Sequence, residues 1–165
     1  MHGANYRIPN GMPLSKKYAP GTPDIRIARF NTGASNSDYN LKLQLISKEK
    51  SQIRDNAIEA ARVSANKSLT KHIGETSYKL SVKLYPHVVI SENRMLATAG
   101  ADRLQEGMRR AFGKATSLAA RVKRGQCIME IRVKKEHLEA TKKALKGACV
   151  KLPGTPTIKV ISLKN

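Results

Sequence analysis

Polar and apolar residues alternate most cleanly at positions 41–46, where Leu41, Leu43 and Leu45 are separated by Lys42 and Gln44. A period of two puts the leucines on one face of a strand and the polar residues on the other. Positions 78–85 (Y-K-L-S-V-K-L-Y) repeat the pattern until Pro86 breaks it. Positions 25–30, 87–90, 118–122 and 126–133 read as further strands, with Asn31-Thr32-Gly33 closing the first. Lys123-Arg124-Gly125 is a short turn that makes a pair of 118–122 and 126–133. Positions 149–152 and 157–163 flank Pro153-Gly154 and predict a closing hairpin.

A period near four appears twice. Ile53, Ala57, Ala61, Ala65 and Leu69 form an apolar stripe, with Ile58 beside it, and predict a helix over 51–72. Ser51 is its expected N-cap, Asp55 sits in its first turn, Lys71 and His72 in its last, and Gly74 ends it. Arg54, Arg62 and Lys67 lie off the stripe, free to face solvent or RNA. A second helix spans 136–146, with Leu138, Thr141 and Leu145 on one face and Gly147 as C-cap. Two helices against several half-buried strands predict an α+β fold, a two-layer sandwich with a mostly antiparallel mixed sheet.

Two stretches escape these patterns. Residues 1–23 carry Pro9, Pro13, Pro20 and Pro23 with Gly3, Gly11 and Gly21, which reads as a tail on a single domain over 24–165. Tyr6, Arg7, Lys16, Lys17 and Tyr18 interleave cations with aromatic rings. Composition leaves open a disordered terminus or a segment that threads along phosphates and stacks on bases. The second stretch is 95–114, M-L-A-T-A-G-A-D-R-L-Q-E-G-M-R-R-A-F-G-K, broken by Gly100, Gly107 and Gly113. A helix-interior glycine costs about 1 kcal/mol relative to alanine, so it reads as a long loop, spanning 95–117. Loops beyond about 12–15 residues in a compact domain are usually functional or disordered.

Charge sharpens the picture. Across 165 residues, 31 Lys and Arg stand against 12 acids, a net charge of +19. That excess predicts self-repulsion unless a polyanion is bound, and nucleic acid is the commonest one. Sixteen of the cations follow residue 100, against five acids. With the tail they form three zones: the loop with Arg103, Arg109, Arg110 and Lys114, which Arg94 immediately precedes, and the Arg121–Lys135 strand pair with its Lys123-Arg124 turn. Arginine grips phosphate through two hydrogen bonds and also stacks on bases. No apolar run reaches 18 residues, so no membrane partner is expected.

Catalytic and metal chemistry find no footing. There is no P-loop, no G-x-G-x-x-G, no H-E-x-x-H and no G-x-S-x-G. His2, His72, His87 and His137 fall on different elements. Cys127 and Cys149 lie in strand-like sequence and make no C-x-x-C pair. They read as small buried hydrophobes in a reducing, cytosolic compartment. No catalytic residue, metal ligand or cofactor is assigned.

The run A-G-A-D-R-L-Q-E-G-M-R-R-A-F-G-K (99–114) resembles the signature of the archaeal and eukaryotic L-ten-e ribosomal proteins, relatives of bacterial L-sixteen. Tyr6-Arg7, Lys17-Tyr18, Gly21-Thr22-Pro23-Asp24, Gln52-Ile53-Arg54-Asp55-Asn56-Ala57, Tyr85-Pro86-His87 and Ala119-Ala120-Arg121-Val122 carry the likeness along the chain. It departs at Ile90, Ser91 and Glu92, where the family usually has a basic residue. It departs again at Ala115, Thr116 and Ser117, where a proline and a glycine usually follow. The resemblance implies an α/β-hammerhead-like fold and a cytoplasmic, non-enzymatic protein of the large ribosomal subunit. Its partners would be large-subunit rRNA, tRNA and neighbouring ribosomal proteins. The loop, with Gly100, Asp102, Arg103, Gly107, Met108, Arg109, Arg110, Phe112, Gly113 and Lys114, would reach toward the peptidyl-transferase centre beside the aminoacyl-tRNA corridor. The family joins the subunit late.

Overall fold

Leu41–Ile46 is an interior strand of the larger of two sheets. In a computed structural model describing residues 6–9, 11–35, 39–93, 109 and 112–163, the elements run β1 (Tyr6–Arg7), β2 (Asn31–Gly33), β3 (Leu41–Ile46), β4 (Ser51–Arg54), α1 (Asp55–Ile73), β5 (Tyr78–Val82), β6 (Val88–Glu92), β7 (Lys114–Val122), β8 (Cys127–Val133), α2 (Leu138–Cys149) and β9 (Thr157–Ser162). The five-stranded sheet has the order β2-β5-β8-β3-β9, the four-stranded sheet β1-β4-β7-β6, and the strand pairings are antiparallel.

Alternation does in β3 what it predicts. Leu41, Leu43 and Leu45 are buried, and the intervening residues are half-exposed. Their face joins Leu80, Met129, Ile131 and Val133 in one core with Ala57, Ile58, Ala61, Ala65 and Leu69 of α1 and Ala144, Leu145 and Ala148 of α2. Full burial of one such leucine stabilises by about 1.5–3 kcal/mol, so the stripe and the leucine face hold each other. The small residues of both helices let them pack closely, and a Cβ added to Gly147 would meet Ser64 Oγ at 3.6 Å. Helices on one face of an antiparallel sheet bear out the α+β class.

Long-range pairing overrides local pattern at several places. Ser51 is a strand residue rather than an N-cap, because Ser51–Arg54 pairs with β7 on one side and β1 on the other. The helix starts at Asp55, whose carboxylate accepts the backbone N–H groups of Asn56 at 2.8 Å and Arg26 at 3.2 Å. Residues 25–30 form no strand; Ile27 is buried in the core, and the strand is Asn31–Gly33 instead. Gly33 is required there: its φ is +92°, and a Cβ would lie 2.2 Å from the Tyr78 carbonyl oxygen.

The helical turn after Lys134 makes α2 begin at Leu138, and Gly147 lies inside it rather than capping it. Cys149 ends this helix, so no closing hairpin forms, and β9 pairs with β3. β7 and β8 are consecutive but belong to different sheets, so Lys123-Arg124-Gly125 turns a corner between sheets instead of closing a hairpin. The loop is shorter at its far end than 95–117, because β7 already begins at Lys114 and pairs there with Glu92.

The tail is docked where it is described. β1 extends the small sheet, the Val89 N–H donates to the Leu14 carbonyl at 2.9 Å, and Ala19 packs with Val89 and Leu118.

Candidate nucleic-acid interface

The corner between the sheets presents its cations on a stiff frame. Gly125, at φ +81°, sends its N–H to the Ser47 carbonyl at 2.8 Å, and the Ser47 N–H returns to the Gln126 carbonyl at 3.0 Å. The Gln126 side chain accepts the Lys123 N–H at 2.9 Å. Lys123 and Arg124, both exposed, therefore sit on a turn whose backbone is already fixed, so little backbone entropy is lost on binding.

Arg121 lies one strand residue from that corner and is engaged within the protein. Its Nε donates to Gln52 Oε1 at 3.1 Å and its Nη1 to the Gly11 carbonyl at 2.8 Å. Register places Arg7, Gln52 and Arg121 in one row across β1, β4 and β7. Arg121 thus ties the tail to the sheet. Only the backbone of Tyr6 and Arg7 is described. Lys16, Lys17 and Tyr18 are exposed on a single helical turn, with the Lys17 ammonium 5.6 Å from the centre of the Tyr18 ring.

The long loop leaves the small sheet between β6 and β7. Arg109, Phe112 and Lys114 are exposed. Arg94, Gly100, Asp102, Arg103, Gly107, Met108 and Arg110 lie outside the described residues. Gly113 sits at the neck with φ +69°, and a Cβ there would fall 2.4 Å from the Glu92 carbonyl oxygen and 2.5 Å from the Asn93 nitrogen. Its missing side chain serves the close approach of the two loop ends.

Two helix-region cations are not free to face RNA as their position off the stripe suggests. Arg54 is buried and donates to Glu92 and Ser117. Arg62 is buried against Glu59, its Nε donating to Oε2 at 2.8 Å; that hydrogen bond raises its pKa further. Lys67 is exposed as expected.

Pattern reading missed the cations of the large sheet. Glu130, only 3% exposed, accepts Arg132 Nε at 2.9 Å and Lys42 Nζ at 3.1 Å, with Lys83 Nζ at 3.9 Å. Burial pushes this carboxyl up, but the hydrogen bonds from Arg132 and Lys42 and the charges of Lys42 and Lys83 outweigh it and hold the pKa below the ordinary value. The signal was present: each of these residues is the polar member of an alternating strand.

Among the described residues, nothing nucleophilic or metal-binding competes with these cations. Burial raises the pKa of both half-buried cysteine thiols, aided at Cys127 by the Glu130 charge, so they stay protonated. Among the described residues no group of His, Cys, Asp and Glu is arranged to hold a metal, and no helix is long and apolar enough to cross a membrane.

Residues 9–159, from the docked tail into β9, match the family model described as ribosomal protein L16p/L10e. The chain belongs to that family. It is 51% identical over 166 residues to the large ribosomal subunit protein uL16 of Metallosphaera sedula, covering 99% of this chain and 95% of that one. The uL16 of Staphylothermus marinus is 50% identical over 145 residues, covering 87% and 83%. That of Hyperthermus butylicus is 49% identical over 157 residues, covering 94% and 87%. The L16p/L10e family is a structural, non-enzymatic part of the ribosome, which bears out the expectation that this chain is not an enzyme.

Proposed function

We propose that this L16p/L10e protein is a structural constituent of the cytoplasmic large ribosomal subunit and binds large-subunit rRNA through its corner, tail and loop neck. The observation that carries the reading is the match over residues 9–159, with relatives named as large-subunit proteins across nearly their whole length. The net charge of +19 and the exposed Lys123 and Arg124 on their braced turn support it. Phosphate contacts of this kind position a protein on folded RNA without reading its sequence.

In this reading the body is the anchor and residues 99–114 are the reach. The loop extends toward the peptidyl-transferase centre beside the aminoacyl-tRNA corridor, where arginines and small residues fit a crowded, negatively charged cavity. tRNA in the assembled ribosome and neighbouring ribosomal proteins are its other partners, and it joins the subunit late.

Deleting residues 100–112 tests the division. The shortened chain should still bind protein-free large-subunit rRNA as the full chain does, while subunits carrying it lose peptide-forming activity. Loss of rRNA binding would make the loop the anchor. Failure of the full chain to bind that rRNA would remove the reading altogether.

A further inference from the structure

The outer face of the five-stranded sheet carries charge that the corner, tail and neck do not use. β3 buries its leucines toward the helices, so Lys42 and Gln44 stand on the opposite face. Register then fixes their neighbours. Lys79, Arg132 and Lys42 form one row across β5, β8 and β3, and Ser81, Glu130, Gln44 and Lys159 form the next, reaching β9. Lys83 follows just past the end of β5 and comes within 3.9 Å of Glu130. Among the described residues, five cations therefore share this face with one carboxylate, Glu130.

One carboxylate cannot discharge them. Lys42, Lys83 and Arg132 leave a surplus of two positive charges around Glu130, and Lys79 and Lys159 add two more. Each ammonium has three donors and each guanidinium five, so the bonds to Glu130 leave most donors available to other acceptors. The Arg132 and Lys83 side chains retain 43% and 47% of their exposure, and Lys159 is exposed. Fold stability does not call for this arrangement, because buried ion clusters are generally no more stabilising than apolar residues of the same size. Closely set like charges repel until an anion joins them. Glu130 relieves part of that repulsion through its short bonds to Lys42 and Arg132.

We propose that this face is a second contact surface for the RNA phosphate backbone, separate from the corner between the sheets. The inference rests on the rRNA-binding reading and extends it from one edge of the protein to the open face of its main sheet.

The test compares the full chain with the variant Lys79→Gln, Lys83→Gln, Lys159→Gln on protein-free large-subunit rRNA across a salt series. The variant keeps the two short bonds to Glu130. Each lost phosphate contact reduces the slope of log affinity against log salt by about 0.7, so the slope should fall by about 2. An unchanged slope in a variant that melts like the parent overturns the proposal and leaves an acidic protein neighbour as the occupant. If the triple variant melts early, Lys159→Gln alone, on edge strand β9, should lower the slope by about 0.7, and no change overturns the proposal equally. A parent chain that fails to bind the rRNA would sink the underlying reading instead, so the two failures are distinct.

Discussion

Arg54 donates to Glu92 at 2.9 Å and to the Ser117 hydroxyl at 2.9 and 3.2 Å, so one buried guanidinium joins β4, β6 and β7. Glu92 is the last residue of β6, where the chain departs into the long loop, and it pairs with Lys114 at the return. The ion pair fixes the separation of the loop's two ends, and Gly113 closes the neck beside it.

Removing the cation should therefore unfasten the neck. Arg54→Ala leaves Glu92 largely buried without its partner. Breaking a buried pair costs about 3–5 kcal/mol, and the residual exposure of Glu92 puts this one near the lower end. Urea unfolding should show a lower midpoint with an unchanged slope. A midpoint equal to the parent's would mean that the pair does not hold the neck.

Two glycines should respond in opposite directions to alanine. Gly113→Ala forces a side chain into backbone atoms at a left-handed φ and should destabilise by about 1–3 kcal/mol. Gly147→Ala, inside α2 with 3.6 Å to Ser64, should stabilise by about 0.4–1 kcal/mol by restricting the unfolded chain. Thermal melting of the two variants reads both signs, and the same sign for both would contradict the geometry.

Acid should weaken the Glu130 cluster. Its pKa is lower in the folded chain than unfolded, so the unfolded state binds the proton more readily. The stabilisation is complete above the unfolded value of about 4.3 and is lost as pH falls through the lower folded value. Glu130→Gln should be less stable than the parent at pH 7, with the difference shrinking toward pH 3. A difference that stays constant with pH would show that the carboxylate charge is not what holds these residues.

At the corner, Lys123→Gln with Arg124→Gln should weaken rRNA binding and lower its salt slope by about 1.4, with melting unchanged. Arg121 is left in place because its bonds to Gln52 and Gly11 hold the tail. An unchanged slope would remove the corner from the interface.

What the sequence shows by itself is what a single strand or helix decides. Leu41, Leu43 and Leu45 were legible because one face is dry and the other wet, and the alanine stripe of α1 was legible for the same reason. What escaped depends on distant partners. Ser51–Arg54 reads as a helix start until β7 pairs with it, and Lys114 reads as loop until β6 does. Arg54 sits off the apolar stripe, yet it is buried because Glu92 and Ser117 lie far along the chain and close in space. The row of Lys79, Arg132 and Lys42 exists only once register aligns three strands. Of the expected interface, Lys16, Lys17, Tyr18, Lys67, Lys123 and Arg124 are exposed, whereas Arg54 and Arg62 are turned to internal partners.

The central claim is that this chain is built into the large ribosomal subunit. Sucrose-gradient fractionation of cells expressing it, followed by a high-salt wash and quantitative mass spectrometry of the large-subunit fraction, tests that most directly. The account predicts about one copy per washed large subunit. Absence from washed subunits, or a small fraction of a copy, would contradict it and identify a free-standing RNA-binding factor.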